Sequence, residues 1–358
     1  MIHFFKLLRW KNLLLLILTQ ILVKYALLEP LRQNYSISLA LSTIDFIYLI
    51  IATVFIAAAG YIINDIEDVV ADKINKPDSI IIGKFISEKT ATYLFITLNL
   101  FGVIFGYLLS LSIEKSSFFM IFVMVSAMLY VYSTFLKSIP LVGNIIVAAL
   151  VSLSILLVGL FDLTPVLTKA NQSTQLFFFD LIKDYAIFAF MLSLLREIVK
   201  DIEDTDGDHI MGIKTIPILL GRNSATKLTF ILSIIPILVI VLYMSNNLYK
   251  QPIAVGYVLL LIVAPLIFTT IKLLTAEQKK VNFYYPDETT VSISINDTTT
   301  LSDLNLILSV FSEVYNKTTT EIKSKSARNR IPGASKRVSS FLSNVIFNSH
   351  HSETELMR

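Results

Sequence analysis

"NDIEDVVADKINKP", residues 64–77, closes a long apolar run and sets Asp65, Asp68 and Asp72 at i, i+3 and i+7. On a helix those positions stack on one face. Charge beside a membrane-length apolar stretch is costly unless it is paired or put to use. The rest of the chain sharpens the point. Over 358 residues, 54% are hydrophobic and only 16% charged, and the mean hydropathy is +0.70. That composition marks an integral membrane protein rather than a soluble globular domain. There is no cysteine, which excludes disulfides, thiolate nucleophiles and cysteine-ligated metals. A net charge of +3 gives no argument for nucleic acid.

Eight apolar segments have the length needed to cross a bilayer as helices: 12–30, 43–65, 91–111, 117–136, 139–161, 182–202, 224–245 and 252–274. The first follows "MIHFFKLLRWKN", which has no small-residue cleavage site, and it is too long for a signal peptide. Alternation divides the connections into two sets. Near the span ends, the N-terminus, 66–90, Lys137, 203–223 and the stretch after 274 carry twelve Lys and Arg, against Arg32, Lys115, Lys169 and Lys250 in the other set. The excess predicts the first set on the cytoplasmic side of the cell (inner) membrane, with both acidic motifs.

The expected fold is therefore all-α, a polytopic transmembrane helical bundle over residues 1–280. From residue 281 the composition changes. "VNFYYPDETTVSISIND" alternates like a strand, "TLSDLNLILSVFSEVYN" has a helical period, and a polar, basic stretch follows. Nothing after 274 is apolar enough to cross a membrane, so 281–358 is expected to form a small soluble α/β-like tail.

A second acidic cluster lies in "REIVKDIEDTDGDHIMGIKT", residues 196–215, with Glu197, Asp201, Asp204 and Asp208 again at the spacing of one helix face. A single such cluster reads as a solvated helix end balancing nearby Lys and Arg. Two on the same membrane side read differently, because facing carboxylate rows repel and need cations between them. Oxygen-only ligands without His or Cys favour Mg²⁺, which keeps waters and completes its octahedron with phosphate oxygens. "DTDGDHIMGIKT" opens like a calcium loop but has His209 at the sixth position and Thr215 at the twelfth, where that loop needs Gly and Glu.

Asn64, Asp65, Asp68, Asp72, Asn75 and Pro77 together resemble the first signature of the UbiA family of intramembrane prenyltransferases, and 196–215 resembles the second. "YSTFLK", ending at Lys137, and "RWKN" at 9–12 also stand where the family carries similar residues. Within the family, the second motif followed by "GIKTIP" is most similar to the geranylgeranylglycerol-phosphate geranylgeranyltransferase branch.

The resemblance implies Mg²⁺-dependent transfer of a prenyl group from an allylic, geranylgeranyl-type diphosphate through an ionised, carbocation-like intermediate. The acceptor would be lipid-soluble or amphipathic, geranylgeranylglyceryl phosphate first and an aromatic quinone precursor second. It assigns one Mg²⁺ to Asp65, Asp68 and Asp72 and another to Asp201, Asp204 and Asp208, with Glu197 nearby. Asn64, Asn75, Lys137 and Lys214 would contact the diphosphate, although a lone lysine there otherwise reads as a snorkelling membrane-edge residue. Tyr61 and Tyr130 are candidates to shield the cation. Besides membrane lipids, no protein partner is implied.

Two departures stand out. The family commonly has a basic residue where this chain has Ser79, and it usually has nine spans. Where a ninth would begin, "NFYYPDETTVSISINDTTTLSDLNLILSVF" and "RIPGASKRVSSFLSNVIFNSHHSETELMR" resemble part of a glycine decarboxylase. No pyridoxal-binding lysine context is present, so that chemistry is not expected. A gene fusion or an assembly artefact that replaced the last span, leaving an inactive chimera, is the competing expectation. A transporter with acidic pathway residues is disfavoured, since such residues usually sit near mid-membrane beside broken helices.

Overall fold

The computed structural model describes residues 2–35, 37–75, 80–275 and 301–315. Asn75's side chain, Lys76, Pro77, Ser79 and the expected strand at 281–297 lie outside that description. The chain divides into two compact units, Met1–Glu277 and Gln278–Arg358. Every regular element described is a helix, and the only bridge among the described residues pairs Ile82 with Ile86.

A short α1 (Ile2–Leu7) leads into α2 (Trp10–Tyr35), whose middle, Leu22–Leu28, widens into π-type turns. Helix α3 (Thr43–Glu67) starts on a capping box. Ser42 Oγ accepts from the Asp45 amide at 3.2 Å, and the Asp45 carboxylate accepts from the Ser42 amide at 3.1 Å. After α4 (Val69–Asn75) come α5 (Glu88–Ser112), α6 (Ser116–Thr134), α7 (Val142–Leu163), α8 (Gln172–Ile210) and the short α9 (Ile216–Leu220). Helices α10 (Arg222–Leu248) and α11 (Pro252–Lys272) complete the first unit. In the second, α12 (Leu301–Tyr315) covers the stretch whose period is helical.

Among the described residues, seven helices are long and apolar enough to cross a membrane, not eight. The expected span at 182–202 falls inside α8 and is not one of them. It holds Lys183, Asp184, Arg196, Glu197, Lys200 and Asp201, too many charges for an apolar window. Helix α8 nevertheless packs along α7, and at about 1.5 Å per residue its 39 residues reach roughly 58 Å.

Close approach of α5 depends on two small residues one turn apart. A Cβ on Gly102 would meet Ile56 of α3 at 2.6 Å, and one on Gly106 would meet the Phe122 ring of α6 at 2.3 Å. Phe122 in turn packs against Phe161 of α7, with ring centroids 5.4 Å apart.

Beneath this apolar core lies a buried ion pair that hydropathy did not reveal. Lys24 Nζ, 2% exposed, sits 2.7 Å from Asp162 Oδ2, whose side chain is fully buried. The same ammonium donates to the Leu41 carbonyl at 3.1 Å, while Asp162 Oδ1 accepts from the Leu41 amide at 2.9 Å. Lys24 thereby ties α2, the entry to α3 and the end of α7 together. Removing one partner of a buried pair strands the other charge at a cost of about 3–5 kcal/mol, whereas replacing both with apolar groups is often neutral. Lys24→Met should therefore lower the melting temperature in detergent markedly, and adding Asp162→Leu should recover most of the loss.

Candidate active site

A cavity of about 800 Å³ opens where α1, the junction of α3 with α4, the 80–85 turn, the start of α7 and the acidic end of α8 meet. Asn64, Asp65, Asp68 and Asp72 line it from one side of the sequence, and Glu197, Asp201, Asp204 and Asp208 from the other, with Lys137 between them. The two acidic motifs are thus brought to one chamber.

Local geometry refines the first motif. Helix α3 stops at Glu67, Asp68 occupies the turn, and α4 resumes at Val69, so the three aspartates do not ride on one continuous helix. Hydrogen bonding crosses the break all the same: the Asp68 amide donates to Asn64 O at 2.9 Å and the Asp72 amide to Asp68 O at 2.8 Å. The second row does sit on uninterrupted helix. Helix α8 ends when the Ile213 amide reaches back to Asp208 O at 2.9 Å, with Gly212 at φ +69. That is a glycine-capped helix end, not a calcium loop.

Like charges gathered in a partly buried space need compensation, and here much of it comes from specific partners. Arg9 Nη2 donates to Asp65 Oδ1 at 2.7 Å, and its guanidinium also lies 5.1 Å from the centroid of the Tyr61 ring. Lys137 Nζ contacts Asp68 Oδ1 at 2.5 Å while Asn64 Nδ2 donates to Asp68 Oδ2 at 2.7 Å. Across the cavity, Asn144 Nδ2 donates to Asp201 Oδ2 at 2.8 Å, and Arg196 Nη1 to Glu197 Oε1 at 2.6 Å. Burial pushes the Asp208 carboxyl up to about 7, helped by the nearby charges of Asp201, Asp204 and Asp68. A cation arriving at that carboxyl therefore competes with a proton near neutral pH.

Arg9, Asn144 and Lys200 are site residues that spacing alone did not single out. Arg9 sits at φ 49, ψ 49, in the left-handed region that non-glycine residues rarely adopt, and this joins α1 to α2. Asn144 is the third residue of α7 and the one polar side chain in its first ten residues, which is the local signal that could have marked it. Lys214 is not brought to the cavity: it is exposed, and only its neighbours Ile213 and Thr215 contribute to the lining. Tyr130 is also elsewhere, 49% exposed and stacked near Phe95.

No three His, Cys, Asp or Glu side chains among the described residues form a ready cluster around a single point. Mg²⁺ does not require one, since it is usually held by one or two carboxylates with waters and substrate phosphates. The hard, all-oxygen donors of this cavity fit that ion.

A second, apolar chamber of about 180 Å³ adjoins the first. Gly60, Tyr61, Phe122, Leu129, Val151 and Leu157 are among its walls. It shares Arg9, Asn64, Tyr132, Arg196, Glu197 and Lys200 with the acidic cavity.

The model of the UbiA prenyltransferase family matches residues 35–285. The chain belongs to this family. It is a prenyltransferase. Digeranylgeranylglyceryl phosphate synthase of Saccharolobus solfataricus is 35% identical over 228 residues, which cover 63% of this chain and 71% of that one. A solved UbiA homolog from Archaeoglobus fulgidus, bound to GPP and Mg²⁺, is 17% identical with a TM-score of 0.49, over 88% of this chain and 95% of that one. A further stretch of 83 residues is 45% identical to glycine dehydrogenase (decarboxylating) of Flavobacterium johnsoniae; it makes up 23% of this chain but only 9% of that protein.

Residues that orient a metal-binding carboxylate typically contribute 10- to 100-fold in metal affinity. With Asp201 as a metal ligand, as proposed below, Asn144→Ala should raise the Mg²⁺ concentration needed for half-maximal prenyl transfer by about that factor, with membrane insertion unchanged in a flotation assay.

Proposed function

We propose that this prenyltransferase moves the prenyl group of an allylic diphosphate onto geranylgeranylglyceryl phosphate at the cytoplasmic face of the cell membrane. One observation carries the reading: the carboxylate-lined cavity and the apolar chamber share a rim. A diphosphate is a polar head on an apolar tail, and this pair of spaces has the same division. Asp65, Asp68 and Asp72 would hold one Mg²⁺ and Asp201, Asp204 and Asp208 a second. Bound there, the metal supplies Lewis acidity toward the leaving diphosphate.

The chain's own groups do the rest. Lys137 and Arg9 bring positive charge to the oxygens that gain it as the allylic C–O bond breaks and its electron pair stays with the diphosphate. Asn64 orients Asp68. Tyr132 lines both spaces and Tyr61 the apolar one, where an aromatic face stabilises a neighbouring cation and excludes water. The acceptor hydroxyl oxygen then bonds the allylic carbon, and its proton passes to the departed diphosphate, whose oxygen gained the electron pair of the broken bond.

The choice of acceptor draws on the relatives named as digeranylgeranylglyceryl phosphate synthases. The cytoplasmic placement draws on the Lys and Arg excess of the connecting segments on the motif side.

Asp68→Ala and Asp204→Ala should each abolish transfer, a loss of at least about 100-fold, while the protein stays membrane-inserted. Retained activity in either variant removes the metal assignment. Purified protein given Mg²⁺, radiolabelled geranylgeranyl diphosphate and a panel of acceptors should label the glycerol-linked phosphate. Labelling of an aromatic quinone precursor instead would move the enzyme to the other branch.

A further inference from the structure

The inner end of the apolar chamber carries polar groups among its hydrocarbon walls. Asn64 stands at the shared rim and Thr53 at the inner end, eleven residues apart on α3, a rise of roughly 16 Å at about 1.5 Å per residue. At that depth the Thr53 hydroxyl lies 3.1 Å from Oε1 of Gln20, a fully buried residue of α2. Gln20 Nε2 in turn donates to the Ser154 carbonyl of α7 at 3.2 Å. Thr53 and Ser154 both line the chamber, and a single buried amide from a third helix links them behind its wall. Phe122 and Leu157 are among the chamber's other walls. Four residues beyond Gln20 on α2 stands Lys24, locked against Asp162, so what lies behind the amide is polar as well.

We propose that the Gln20–Thr53–Ser154 bridge is the stop that sets the longest prenyl tail this enzyme accepts. An apolar tail pressed to this depth cannot replace the hydrogen bonds it would part, and buried polar groups left without partners are costly. Tails that end above the bridge gain apolar contact with each added unit; a longer one meets the bridge. The proposal rests on the reading that the tail occupies this chamber.

Removing the amide opens the stop without stranding a donor, because the Thr53 hydroxyl keeps the Leu49 and Ile50 carbonyls at 2.9 and 3.0 Å. The space gained runs only to Lys24, about 6 Å further along α2, or about one isoprene unit.

The test compares kcat/KM across dimethylallyl, geranyl, farnesyl, geranylgeranyl and farnesylgeranyl diphosphates for the full-length protein in detergent. Gln20→Ala should improve use of the tail one isoprene longer than the wild-type optimum, relative to that optimum, by at least about tenfold. Thr53→Leu, which adds bulk at the same floor, should shift the optimum toward a shorter tail and decides the matter if Gln20→Ala does not insert. Ala57→Phe, which narrows the chamber one turn nearer the rim, tests the occupancy on which the proposal rests. If Ala57→Phe shortens the accepted tail while Gln20→Ala and Thr53→Leu keep the wild-type limit, the stop is not at the bridge. If Ala57→Phe leaves the length profile unchanged, the tail does not lie in this chamber, and the occupancy reading falls together with the proposal.

Discussion

Repulsion among carboxylates in a confined space governs how this molecule is put together. Two unit charges about 4 Å apart interact by about 4 kcal/mol at the effective dielectric of a protein surface. Eight acidic and amide side chains of the two motifs share one cavity, so such terms would force the helices apart if nothing opposed them. Opposition is supplied residue by residue. Arg9 faces Asp65, Lys137 and Asn64 divide Asp68 between them, Asn144 takes Asp201 and Arg196 takes Glu197. These pairings also hold α2, α3, α7 and α8 in register around the cavity, so the charge balance and the architecture are one problem.

The contrast between the two chambers follows from the same physics. Carboxylate oxygens that hold cations, and through them phosphate, must be kept near water, while a prenyl tail is driven into apolar surroundings. The rim shared by both spaces is built of residues able to serve either side: the Arg9 guanidinium beside the Tyr61 ring, and Tyr132 with its apolar ring and polar tip. Behind the inner wall of the apolar chamber, polar groups reappear where they are hydrogen-bonded, first at Gln20 and then at Lys24 with Asp162.

The second unit raises a different question of identity. Its stretch of glycine dehydrogenase-like sequence amounts to 9% of that relative, and among its described residues only α12 is seen. A pyridoxal enzyme's chemistry depends on a complete domain, so nothing in this unit supports assigning that activity. The prenyltransferase reading stands on the first unit alone, where both motifs and both chambers lie.

Hydropathy and helical spacing are local properties, and what they control was legible in the residues themselves. The membrane bundle and the helical stretch at 301–315 follow from runs and periods within about twenty residues, the same-side placing of the two aspartate rows from their order among the spans, and Lys137 only from the family resemblance. The rule failed where charge entered a span: α8 carries six charged residues over 182–202 and so departs from the apolar pattern, though it packs in the bundle. It also failed at Asp68, where the helix breaks between two favourable segments. What no local pattern contains is the choice of partner. Arg9 and Asp65 are 56 residues apart, Asn144 and Asp201 57, and Lys24 and Asp162 138. Such contacts, with the exclusion of Lys214 and the polar end of the apolar chamber, exist only after helices have packed, because packing sets which side chains come within hydrogen-bond reach.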